Sequence, residues 1–133
     1  MAPLTAERNT PRRTGDLFSL PAAAAKKFFA GAIVARDAAG RATPGATAAD
    51  ILGVGRCAET VDNSAGAADA VTVQIEKGIF LYANSATDPV VAADVGGNCY
   101  IVDDQTVSHT DTNQSVAGVV FAVEAVGVWV KFE

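Results

Sequence analysis

The chain holds few residues that could do chemistry. Its one histidine, His109, has Ser108 beside it and Asp111 two positions on. These are the residue types of a serine nucleophile, its base and the carboxylate that orients the base, but such a triad is assembled by the fold and not by adjacency. Gln105–Ser115 is a polar stretch rich in Thr, Asp and Asn, so His109 is expected to be a solvated side chain on a loop. Asp103, Asp104 and Asp111 suggest calcium, yet an EF-hand loop also needs a central glycine and a glutamate at its twelfth position, and the segment has neither. Cys57 and Cys99 are too few for a disulfide framework, and His109 is the only other soft ligand, which leaves no zinc set. Both cysteines lie in apolar runs and are expected as buried, reduced thiols, a bridge between them being the alternative. Gly53-Val54-Gly55 sits inside a strand-like run, and no GxGxxG or Walker pattern occurs. Neither a cofactor nor a catalytic constellation is implied. Trp129, Tyr82 and Tyr100 could form a sugar-stacking platform, and His109 could join Tyr82 and Trp129 in a ligand-binding barrel. Such half-polar rings more often anchor a core or an interface.

The elements that would have to position these residues read as β. Met1–Thr14 contains Pro3, Pro11 and three arginines with little apolar periodicity, and is expected to be an extended arm. Gly15–Leu20 is a short strand candidate closed by Pro21. Between Pro21 and Gly31 only one helical turn is expected, or an extended run anchored by Phe28 and Phe29. Gly31–Ala35 is a strand, Asp37–Gly45 a turn-rich loop, and Ile51–Ala58 a strand whose Gly53 and Gly55 suggest a bulge or a close approach of another backbone. Val71, Val73 and Ile75 alternate with Thr72, Gln74 and Glu76, a clear half-buried strand. Ile79–Tyr82 is apolar on both faces, as in a central strand or an interface. Asp88 is placed to cap one helical turn with Pro89 at its first position. Asn98–Val102 is a strand, and Val116–Glu133 a hairpin turning near Ala125. The sum is an all-β fold: a small barrel or sandwich of six to eight short antiparallel strands, with an extended N-terminal arm and at most one short helix. The arm is assigned to residues 1–20 and a single β-rich domain to 21–133.

Composition narrows the function classes. The chain has 133 residues, half of them hydrophobic but only 7% aromatic, so its core is built from small side chains. Charged residues make up 19%, and so sparse a charged surface is expected to be covered in part by a partner. Residues 1–41 carry seven basic against three acidic side chains, and residues 42–133 carry three against twelve. A basic front on an acidic body suits an arm that docks on an acidic neighbour, including another copy. The net charge of −5 and the absence of aromatics among the arginines speak against nucleic acid. The start has no apolar signal region. The longest apolar candidate, Ala117–Val130, is broken by Gly118, Glu124 and Gly127 and falls short of the roughly 18 residues that span a membrane. No membrane partner is expected.

Three stretches carry a resemblance: GAIVARDAAGRATPG (31–45), GRCAETVDNSAGAADAVTVQIEKGIFLYANS (55–85), and DVGGNCYIVDDQTVSHTD with SVAGVVFAVEAVGVWVKF (94–132). They resemble the capsid cement, decoration or minor head proteins of Mu-like tailed bacteriophages and prophages. The order is a valine-rich strand (Val71–Ile75), a basic-residue–Gly turn (Lys77–Gly78), an aromatic strand (Ile79–Tyr82), Ala83–Ser85, then Asp94–Asp104. The resemblance covers about residues 30–132, and its specificity lies in order and spacing, since no motif in it is catalytic. It implies a structural virion protein, made in the bacterial cytoplasm, that sits on the outer face of the head. There it would bridge and stabilise subunits of the major capsid protein and associate with itself, as a trimer in many such proteins. Other virion roles (tail tube, head completion, receptor binding) are the alternative. The resemblance supplies no functional residue. From the residues themselves, the expected contacts are Arg8, Arg12, Arg13, Phe18, Phe28, Phe29, Phe80, Tyr82 and Trp129.

Overall fold

The computed structural model describes residues 2–11 and 15–133; Arg12 and Arg13 lie outside the described residues. The chain is all-β. In order, the strands are β1 (Leu17–Pro21), β2 (Lys26–Phe28), β3 (Ile33–Arg36), β4 (Ala42–Pro44), β5 (Leu52–Cys57), β6 (Val61–Asn63), β7 (Thr72–Glu76), β8 (Gly78–Asn84), β9 (Asn98–Ile101), β10 (Thr106–Ser108), β11 (Val116–Glu124) and β12 (Gly127–Phe132). Twelve strands replace the expected six to eight because β2, β4, β6 and β10 are three residues each, too short to leave an alternation in the sequence. One helical turn is present among the described residues, of the 3-10 type, at Ala92–Asp94. Its cap is Val91, three residues beyond Asp88, and the Asp88 carboxylate instead accepts from Thr110 N–H (2.8 Å) and hydroxyl (3.0 Å).

Strands β10-β8-β12-β11-β9 close a barrel, and β1-β7-β5-β3-β4 form a five-stranded sheet. All pairings are antiparallel except the short β8–β10 ladder. The sheet curls toward closure, since Ala22, just past β1, bridges Ala42 of β4 and the Ala23 N–H donates to the Ala42 carbonyl at 2.9 Å. β2 and β6 make a separate ribbon. Leu17–Leu20, expected within the docking arm, belong to β1 and pair with β7. The arm therefore ends where Asp16 O accepts the Lys77 N–H at 2.8 Å. Pro21 costs β1 no ladder bond, because main-chain groups facing β7 are those of Asp16 and Ala22 and the residues in step with them.

Two apolar cores result, and β3 stands between them. Ile33 and Ala35 point into the barrel core with Ile101, Val120, Val128, Val130 and Phe132. Val34, between them, points into the sheet core with Phe28, Cys57, Val73 and Ile75. Alternation places successive residues on opposite faces, and here both faces are sealed. β3 is tied to the barrel by its main chain as well, Ile33 N–H donating to Asp104 O at 2.8 Å.

The two glycines of β5 do what their spacing predicts. Val54 is an extra residue opposite β3, a bulge between the Val34–Gly55 and Ala35–Gly53 pairs. At position 53 a Cβ would collide with the Ala117 carbonyl of β11, so glycine lets the sheet lie directly on the barrel. Gly127 opens β12 at φ +148°, and a Cβ there would meet the Tyr82 carbonyl, which fixes glycine at the hairpin.

With one strand lining both cores, the body should unfold as a unit. Ile33→Ala is expected to lower the unfolding free energy by about 2–4 kcal/mol. Urea transitions followed by Trp129 fluorescence and by far-ultraviolet circular dichroism should still coincide; two separated transitions would refute the coupling. Gly53→Ala should destabilise by about 1–3 kcal/mol through overpacking, read in the same titration.

Candidate protein-binding surface

An antiparallel barrel normally shows water a polar outer face. Three adjacent strands here do not. β12 pairs with β8 so that Trp129 lies opposite Leu81 and Lys131 opposite Ile79, and with β11 so that Ala122 lies opposite Trp129. These side chains share the outer face, since Val128, Val130 and Tyr82 point inward. Phe121 is the unpaired residue of a bulge in β11 between Val120 and Ala122, which leaves its ring 56% exposed. Ile79, Phe121, Ala122 and Trp129 line one shallow groove, with Glu124 at its rim. The Trp129 Nε1–H donates to a Glu124 carboxylate oxygen, which ties the indole to the end of β11. Val126, at the hairpin tip, is 73% exposed.

The sequence-predicted contact residues separate under the fold. Arg8 is exposed on the arm. Phe29 is exposed, with Lys27 Nζ 5.0 Å from its ring centroid, and Trp129 lies on the apolar outer face. Phe28 and Tyr82 are corrected to interior residues. Phe28 is buried in the sheet core, and Tyr82 in the barrel core, edge-on to Phe132 at 6.1 Å. The Tyr82 hydroxyl donates to Gly31 O at 2.8 Å, and burial pushes its acidity well below that of a free phenol. Phe18 and Phe80 are half-buried against the sheet core and the barrel core respectively. Lys77 lies over the Phe18 ring at 5.3 Å, and Arg56, paired with Glu76 at 2.8 Å, lies over the Phe80 ring at 5.7 Å. The sequence reading missed Ile79, Leu81, Phe121 and Val126. The signal for the first two was the two-faced apolar run Ile79–Tyr82; Phe121 sits in a similar run, Val119–Val123.

The residues that suggested chemistry are not brought together. Ser108 is buried; its hydroxyl donates to Thr110 O at 3.4 Å and accepts from the Gln114 amide at 3.0 Å. His109 turns instead to Asp94, with Nδ1 2.8 Å from Oδ2, a carboxylate that also accepts the Val91 N–H at 2.9 Å. The pair clips the Ser108–Thr110 segment to the 3-10 turn. Asp103 Oδ1 accepts the Gln105 N–H at 2.9 Å, a local turn contact. No group of three or more His, Cys, Asp or Glu side chains that could hold a metal occurs among the described residues. Cys57 and Cys99 are free, buried thiols, one in each core. Burial raises both pKa values, that of Cys99 to about 12. No helix among the described residues is long and apolar enough to cross a membrane.

Comparison with protein-family models, with curated proteins and with solved structures finds no match to this chain.

The clip sets a pH dependence. The Asp94 carboxylate raises the pKa of His109, so the protonated form is favoured by folding and its contribution is complete below the free-histidine value. That contribution is lost as pH rises through the raised folded value. Asp94 is lowered by the Val91 amide and then by His109, so its contribution is lost only as pH falls through that depressed value. Wild type should therefore lose thermal stability relative to His109→Gln between about pH 5.5 and pH 8. Parallel melting curves for the two proteins across that range would refute the clip.

Proposed function

We propose that the chain is a structural virion protein that binds the outer surface of a phage head, where it bridges and stabilises major capsid subunits. The observation that carries this reading is the apolar outer face of β8, β12 and β11, in which Leu81, Ile79, Phe121 and Trp129 lie side by side on a sheet surface that water would otherwise favour as polar. Large aromatic and aliphatic groups clustered in this way are what protein interfaces use as anchors, and Trp129 and Glu124 supply a satisfied polar edge. The resemblance to capsid cement proteins over residues 30–132 supports the same reading. So does the arm: Ala2–Pro11 is exposed along its whole length, as suits a segment that orders on a neighbour. Repetition over a lattice lets each such contact be weak.

Phage heads made without the protein and then incubated with it provide the test. Wild type should bind at hundreds of copies per particle, as a decoration protein must. Phe121→Lys should weaken binding by roughly tenfold or more, and removal of residues 1–14 should abolish it, each with the body's circular dichroism unchanged. Undiminished binding by both variants would overturn the reading. A few copies per particle, or isolated protein that polymerises into rods, would point to head completion or a tail tube.

A further inference from the structure

The three strands of the apolar outer face carry very little charge, and what they carry is ordered. β8 holds no charged residue, β11 only Glu124 and β12 only Lys131. Both point outward. Lys131 lies opposite Ile79 and Val119, and Glu124 lies opposite Gly127 at the hairpin. Along β12 the two ends of the face, Gly127 and Lys131, are four residues or about 13 Å apart. The face is therefore negative at its hairpin end, positive at its far end, and apolar between them, with the Phe121 ring standing out of the middle. Both charges have capacity left. Glu124 accepts the Trp129 N–H at one carboxylate oxygen and has a second. The Lys131 ammonium lies 3.5 Å from Glu133, an exposed contact, and keeps further N–H groups for a partner.

We propose that this face is covered by the same face of a second copy of the chain, stacked about a twofold axis with the strands reversed. The proposal rests on reading the face as an interface of an assembling virion protein, and it names the partner seated there. The pattern such a face needs in a partner is the one it carries itself. A twofold axis lying across the strands brings the hairpin end of one copy over the Lys131 end of the other. Glu124 then meets Lys131 of the second copy, Lys131 meets Glu124 of the second copy, and the apolar rows cover each other. This is the reciprocity that a self-complementary interface requires. An axis running along the strands would instead keep both lysines at one end and both glutamates at the other, which like-charge repulsion disfavours. Pairing spends the face between copies and leaves two arms, one from each, to grip the head. Loss of the pairing then lowers head binding by loss of avidity.

The test exchanges the charges in isolated full-length protein and reads molar mass by sedimentation equilibrium. Wild type is expected as a monomer–dimer equilibrium. Lys131→Glu makes both ends of the face acidic and Glu124→Lys makes both basic, so each alone should raise the dissociation constant by roughly tenfold or more. An equimolar mixture of these two variants should regain dimer, since every opposed pair is again of unlike sign. The double variant, with both exchanges in one chain, should dimerise as wild type does. Wild type that stays monomeric or closes as a trimer overturns the proposal. So do single variants that pair as well as wild type, or a mixture that pairs no better than its components. If Glu124→Lys misfolds by circular dichroism, wild type alone gives the answer. Isotope-labelled and unlabelled protein are mixed and treated with a zero-length carbodiimide, which should link Lys131 of one to Glu124 of the other, and absence of that mixed peptide overturns the proposal. No particle is present in these measurements, so their failure leaves head binding to stand or fall by its own assay.

Discussion

The arrangement depends on a strand three residues deep in apolar surroundings. Ile33, Val34 and Ala35 are each fully buried, and the pleat sends them alternately into two different cores. A strand can bury both faces only if something covers each, and here the barrel covers one and the curled sheet the other. That requirement explains the glycines of β5. For the barrel to reach β3, the neighbouring strand must lie close against β11, and only a residue without a Cβ permits that at position 53. The composition follows from the same constraint. Cores filled by Val, Ala and Ile at short separations need few aromatics, and the chain has few.

The large apolar side chains left over are distributed unevenly. Phe28, Tyr82 and Phe132 fill the interior, while Phe121, Leu81 and Ile79 are turned outward by register and, for Phe121, by a bulge. A bulge in a barrel strand re-aims one side chain at the cost of a ladder contact. In β11 that single extra residue converts an otherwise ordinary outer face into one with a protruding aromatic ring. Specific binding surfaces arise in this way without any change to the core.

The sequence made the fold class legible and the site only partly so. The Val71–Ile75 alternation, the Gly53/Gly55 pair and the hairpin at Ala125 each correspond to an observed element, because each rests on a period or a backbone requirement confined to a few neighbours. The three-residue strands could not be read, since a run that short has no period. Phe28 and Tyr82 were expected at contacts because an aromatic ring next to lysines or in a two-faced run looks the same whether it points in or out. Only register decides, and register is set by partners distant in the chain.

The two thiols acquire a use from their placement. Cys57 and Cys99 sit on opposite sides of the β3 wall, each among groups that open only when its own compartment opens, and neither can find the other while the wall stands. Labelling of either sulfur therefore clocks the breathing of one compartment. The ratio of the two rates measures how far the halves of this small body fluctuate in concert, without introducing any foreign probe.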